Sequence, residues 1–270
     1  MDITFIGGGN MATALAGGLV AKGFAAKRLK VVEILPEARA RLAASLGVAC
    51  FEKPAAAAPF GDVVVLAVKP QQMREAARAI APHLGTTLVL SIAAGIRLAD
   101  LGRWLGGYGR LARCMPNTPA LIGAGITGLY ARPEVAPQQR AQAQAVLEAV
   151  GEVIWVEDEA LLDPVTAVSA SGPAYVFFFI ETLERAAREL GLEAAAARRL
   201  AIATFRGAAE LAVRSDEPPA TLRERVTSKG GTTERALASM RAARVDDAIV
   251  RAVQAANERA RELGDEFGRD

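Results

Sequence analysis

The sequence predicts an α/β fold, with a doubly wound parallel sheet in the first half and an all-helical domain after it. Three observations carry this expectation. Short β-rich runs alternate with helical periods from residue 2 to about residue 156. At the first of these junctions, the apolar run ending at Ile6 passes directly into Gly7-Gly8-Gly9-Asn10-Met11-Ala12. After Val156 the β signal ceases and only helical spacing remains.

The expected strands are Asp2 to Ile6, Leu29 to Glu33, Val63 to Val68, Thr87 to Ser91, Leu111 to Cys114 and Val153 to Val156. Each is a short β-rich run of strand length. Helices are expected between them at Met11 to Ala21, Pro36 to Leu46, Gln71 to Ile80 and Pro137 to Val150. Pro36 and Pro137 suit first-turn positions, where a missing N–H leaves no bond unmade.

The glycine junction points to a dinucleotide. Gly7 permits the tight turn, Gly9 lets the backbone approach a pyrophosphate, and Ala12 lets helix and strand pack closely. The free amides of the following helix would face the phosphates. Glu33 closes the second apolar run, where an acid can accept the ribose hydroxyls, and Ile34-Leu35 offer no arginine or serine to a 2′-phosphate. NADH should therefore be accepted at least as well as NADPH, unless Arg39 or Arg41 reaches over. The alternative is a glycine-rich strand-to-helix turn with no ligand.

Residues 1–158 thus read as a dinucleotide-binding domain and residues 159–270 as an all-helical one, broken at Gly191-Leu192, Ser215 to Pro219 and Gly230-Gly231. The helix at roughly Pro173 to Leu190 carries Val176, Phe177, Phe178, Phe179, Ile180 and Leu183, apolar over more than one face. Either the first domain or a partner subunit must enclose it.

Composition excludes several classes. With 32 basic and 30 acidic residues the net charge is only +2, which gives no basic field for nucleic acid. Cys50 and Cys114 lie far apart at the edges of apolar runs and read as free thiols, and a single histidine, His83, leaves no zinc cluster and no Ser-His-Asp triad. No metal is expected. Asp2 and the glycine turn make the apolar start a first strand rather than a leader, and Tyr175 to Ile180 is far shorter than the roughly 20 residues of a membrane span. The expected location is cytoplasmic.

Three further stretches carry candidate chemistry. Ala67-Val68-Lys69-Pro70 leaves a strand where ligands bind in this architecture, so Lys69 either faces the cofactor or is a solvated loop lysine. Met115, Pro116 and Asn117, within Arg113 to Pro119, form a rigid loop able to shape a pocket. Thr227-Ser228-Lys229-Gly230-Gly231-Thr232-Thr233-Glu234 is a glycine turn feeding a helix, which offers amides and hydroxyls to an anion. The alternative there is an ordinary N-cap at Thr232 or Thr233.

IGGGNMA, AVKPQ, RCMPNTP, SASGPAYVF and TSKGGTT, in this order across nearly the whole chain, resemble the pyrroline-5-carboxylate reductases. IGGGNMA alone is equally similar to the β-hydroxyacid dehydrogenases, but those carry a catalytic lysine on the first long helix of the second domain. No lysine occurs here between Lys69 and Lys229. A non-catalytic nucleotide sensor, the remaining alternative, needs no anion-binding turn.

The resemblance implies a Rossmann domain followed by an all-helical dimerisation domain. It also implies a homodimer, often assembled into rings of dimers, with a substrate site shared by two subunits. Its cofactor is NADPH or NADH, held by Gly7, Gly8, Gly9, Asn10, Met11, Ala12, Glu33, Ala67 to Pro70 and Met115 to Asn117. By the same resemblance the amides of Gly230, Gly231, Thr232 and Thr233 bind the substrate carboxylate, supported by Ser228. Thr233 places its hydroxyl near the ring nitrogen, and Asp216 or Glu217 holds the cationic ring from the dimer partner. Lys229 stands where many relatives have proline, and Ala170 where they have glycine; neither change threatens the implied activity.

Overall fold

The computed structural model describes residues 1–269. They form two compact units, Met1–Ser171 with the C-terminal stretch from Ala256, and Gly172–Ala255.

The first unit is built on strands β1 (Ile3–Ile6), β2 (Leu29–Val32), β3 (Ala49–Phe51), β4 (Val63–Leu66), β5 (Leu88–Ser91), β6 (Leu111–Met115), β7 (Gly125–Ala131) and β8 (Gly151–Trp155). They lie in one sheet in the order β3-β2-β1-β4-β5-β6-β7-β8. After β3 the chain crosses from one side of β1 to the other, so a topological switch point falls beside β1, where this architecture opens a crevice for ligands.

Helices α1 (Asn10–Ala21), α2 (Pro36–Leu46), α3 (Pro54–Ala57), α4 (Pro70–Ile80), α5 (Leu98–Trp104), α6 (Pro137–Glu148) and α7 (Leu162–Val165) connect and follow the strands. They create a core on each face. Ile3, Phe5, Val63 and Val65 pack with Leu15 and Leu19 of α1 and Leu147 of α6. Ile6, Val64 and Leu66 pack with Met73 and Ile80 of α4 and Leu98 of α5. Burial on both faces is why β4 reads as an unbroken apolar run rather than an alternation. Thr4 is tolerated in β1 because its hydroxyl donates to the Phe60 carbonyl at 2.7 Å.

The structure adds two features to the expected sheet. The sheet is not wholly parallel, because β7 runs antiparallel to β6. A single short turn, Thr118–Ile122, joins them, whereas a parallel return needs a longer crossover. Strands β3 and β7 also escape the sequence pattern. β3 has only three residues, and β7 carries Gly128, where a Cβ would lie 2.7 Å from Val165. Glycine inside a strand weakens the pattern precisely where a neighbour packs closely.

Residues 159–171 are helical in period but belong to the first unit, since Leu162 and Ala167 are buried there. The compact units therefore divide the chain differently from the 158/159 boundary. An ion cluster fastens this segment to the sheet. Arg113 of β6, only 3% exposed, donates to Glu159 at 3.1 Å and lies 3.8 Å from Asp163, while Glu159 also accepts the Leu98 amide at 2.8 Å. A guanidinium can be buried here because carboxylates meet it.

The second unit contains α8 (Gly172–Glu189), α9 (Ala194–Val213), α10 (Pro219–Arg225), α11 (Thr232–Ala242) and the start of α12 (Val245–Phe267). Glu193 caps α9 by accepting the Ala195 and Ala196 amides at 2.8 and 3.3 Å. Its apolar residues are poorly covered. Phe179 stacks on Phe205 of α9, but Phe177 and Phe178 remain 66% and 63% exposed, with Leu200, Leu211 and Val250 also open. Large apolar side chains left this open are a feature of surfaces that meet a partner.

Candidate active site

At the end of β1 the backbone turns at Gly7, whose φ is +102°. The Gly7 amide donates to the Val32 carbonyl at 2.8 Å, and an added Cβ would stand 2.7 Å from the Ala67 carbonyl oxygen. The turn is thus wedged between the ends of β2 and β4. Gly8 is constrained as well, because a Cβ there would meet Leu42 at 2.7 Å and Glu33 at 3.2 Å.

Gly9 differs. A Cβ on it would meet no protein atom within 4 Å, yet Gly9 lines a cavity of about 450 Å³. Its lack of a side chain serves the space, not the packing. Gly9 is also the N-cap of α1 and makes no side-chain cap bond, so the helix start keeps its amide potential for an anion. Gly7, Glu33, Ala67, Val68 and Lys69 line the same cavity, joined by Glu52, Gln72 and Glu75. A glycine cradle, an uncapped helix start and an acid after β2 fit a dinucleotide.

Glu33 is fixed in place. Its carboxylate accepts the Gly8 amide at 2.8 Å and the Leu35 amide at 2.9 Å. Arg39 of α2 donates to the Glu33 and Ile34 carbonyls at 2.7 and 2.9 Å, and lies 3.9 Å from Glu52. Glu52 was not legible as a site residue, because it follows β3, the strand the pattern misses.

The other expected cofactor residues stand outside the cavity lining. Gly8 shapes the turn, Ala12 is buried in the core against the sheet, and Asn10 and Met11 begin α1. Pro70 opens α4 after its N-cap Lys69. Met115, Pro116 and Asn117 are buried. The Asn117 side chain donates to the Ser169 carbonyl at 3.1 Å and accepts the Ile126 amide at 3.0 Å, so it fixes the loop.

In the second unit, Gly230 takes φ +74° and the Gly231 amide donates to the Ser228 carbonyl at 3.0 Å. Gly231, not either threonine, is the N-cap of α11, and no side chain caps that helix. The N-cap alternative for Thr232 and Thr233 therefore gives way to two threonines in the first turn. The Gly230 amide donates to Glu234 at 2.6 Å, which holds the turn. Asp216 is exposed, whereas Glu217 pairs with Arg225 at 2.5 Å and has its second carboxylate oxygen buried without a partner.

Among the described residues no group of three His, Cys, Asp or Glu could hold a metal, and no helix is long and apolar enough to cross a membrane. Burial pushes the Cys114 thiol far above its ordinary range.

A family model described as pyrroline-5-carboxylate reductase dimerisation matches residues 159–263, and one described as NADP oxidoreductase coenzyme F420-dependent matches residues 2–95. The chain is 45% identical to a pyrroline-5-carboxylate reductase of Pseudomonas aeruginosa, covering 98% of each, and 40% identical to one of Haemophilus influenzae, covering 97% of each. Its fold is similar to that of a pyrroline-5-carboxylate reductase from Coxiella burnetii, with a TM-score of 0.93, 39% identity and 97% and 98% coverage. A pyrroline carboxylate reductase of Plasmodium falciparum with NADP bound gives 0.87 at 27% identity, covering 98% of both chains.

The two outer glycines of the turn should separate stability from binding. Gly7→Ala is expected to lower stability by about 2 kcal/mol or more, since it meets both an unfavourable φ and a backbone oxygen. Gly9→Ala should change stability by about 1 kcal/mol or less but weaken nucleotide binding at least about tenfold, which is about 1.4 kcal/mol. Urea unfolding and nucleotide titration of both variants check the pair. Equal nucleotide affinity in Gly9→Ala would show that the phosphates lie elsewhere.

Proposed function

The chain belongs to the pyrroline-5-carboxylate reductase family and is accordingly an NAD(P)H-dependent oxidoreductase of proline biosynthesis; we propose that it reduces pyrroline-5-carboxylate to L-proline through the following residues. Gly7, Gly8, Gly9 and the first turn of α1, Asn10 to Ala12, form the pyrophosphate seat. Glu33 takes the ribose, and Ala67 to Pro70 with the Met115 to Asn117 loop hold the nicotinamide half in register. When bound, NAD(P)H supplies hydride to the imine carbon of the ring.

A protonated imine is already electrophilic, so positioning is the main task left to the chain. The amides of Gly230, Gly231, Thr232 and Thr233, with Ser228, are assigned to the substrate carboxylate. Thr233 is assigned to the ring nitrogen through its hydroxyl. The observation that supports these roles most is the N-cap at Gly231, which leaves both threonine hydroxyls outside the capping bond. Asp216, exposed, and Glu217, with its orphaned oxygen, are the two carboxylates available to the cationic ring.

The dimerisation model and the uncovered phenylalanines of α8 support a homodimer made by the helical unit. Rings of such dimers and a cytoplasmic location belong to the same reading.

Purified protein should oxidise NADH or NADPH only when pyrroline-5-carboxylate is present; nucleotide binding without that dependence would reject the reductase reading. In the same assay Thr233→Ala should raise the barrier by about 1 to 3 kcal/mol, a rate loss of about 5- to 150-fold, with nucleotide affinity unchanged. Full turnover in a folded Thr233→Ala sample would remove the substrate contact.

Light scattering should give at least twice the 28.3 kDa of one chain. An active monomer would contradict the interface.

A further inference from the structure

We infer that the first unit selects NADH over NADPH, with Glu33 occupying the place a 2′-phosphate needs and Glu52 helping to hold Arg39 away from it. The inference deepens the proposed function and rests on its reading that this cavity takes the dinucleotide.

Glu33 is a preorganised acceptor. Two backbone amides, those of Gly8 and Leu35, hold both oxygens of its carboxylate beside the glycine turn. A ribose diol donates to such a group. A 2′-phosphate instead brings about −1.5 to −2 charges against it and offers oxygens where the carboxylate needs donors.

The cation that bonds beside Glu33 is Arg39, and it is already engaged. One of its terminal nitrogens serves the Glu33 and Ile34 carbonyls at 2.7 and 2.9 Å, while the other faces Glu52 at 3.9 Å. Turning this guanidinium toward a phosphate would leave two carbonyls without their donor and pull it away from Glu52. The backbone bonds are the stronger part of this latch, because an ion pair with an exposed partner contributes little by itself.

The remaining charged groups in the cavity lining point the same way. Glu33, Glu52 and Glu75 line it against Lys69 alone among the described residues. Lys69 caps α4 at the end of β4, whereas Glu33 follows β2, on the other side of β1.

The test measures dissociation constants for NADH and NADPH by calorimetry on the full chain, together with kcat/KM for each. Wild-type protein should bind NADH at least tenfold more tightly than NADPH. Glu52→Gln, on an exposed side chain, should lower the preference for NADH about threefold by loosening Arg39. Glu33→Ser combined with Glu52→Gln should abolish or invert the preference.

NADPH binding as tight as NADH in the wild type would overturn the inference, and an unchanged preference in Glu52→Gln would overturn the role given to Glu52. Folded protein that binds neither nucleotide would overturn the cofactor reading itself, and the inference with it.

Discussion

Everything the first unit presents to a ligand depends on how closely the backbone at Gly7 approaches the ends of two strands. The Gly7 amide bonds to the last residue of β2, and its α-carbon faces the Ala67 carbonyl just beyond β4, leaving no room for a Cβ. With this wedge in place, β1 sits between β2 and β4 and α1 starts at the crevice where the strand order reverses. Gly8 then lies against Glu33 and fixes its carboxylate by one hydrogen bond. A single conformational demand, met only by glycine, thus places the proposed phosphate seat and the proposed ribose acceptor together.

Much of this was legible in the sequence because local pattern and tertiary role coincide there. The glycine junction, the run Val63 to Leu66 and the acid closing the second strand each carry their meaning in adjacent residues. Where the meaning is set by distant neighbours, the pattern fails. β3 is only three residues long, so neither it nor Glu52 behind it could be read. Both ends of the Asn117 amide are taken, by Ser169 and Ile126, so this side chain fixes its loop through partners that the local pattern does not reveal. The segment after residue 158 has helical period, yet Arg113 draws it to the sheet through Glu159 and Asp163.

The helical unit shows a different limit. Its apolar spacing was readable, and the sequence left open whether the first domain or a second chain covers Phe177 and Phe178. Among its described residues only Ala197 and Ala201 in α9 are buried, both small, while large side chains stay open. A unit with so little core of its own gains most by burying that surface against another copy, which ties its stability to assembly. The glycine turn before α11, proposed to hold the substrate carboxylate, lies in this same unit, so its proposed chemistry would depend on that assembly too.

The central claim is that the glycine turn and Glu33 together seat a dinucleotide, and a crystal structure of the protein with NADH tests it most directly. The account predicts pyrophosphate oxygens within hydrogen-bond distance of the first-turn amides of α1, with both adenosine ribose hydroxyls donating to the Glu33 carboxylate. A nucleotide whose pyrophosphate lies away from α1, or a Glu33 turned out of the cavity while nucleotide is bound, would contradict it.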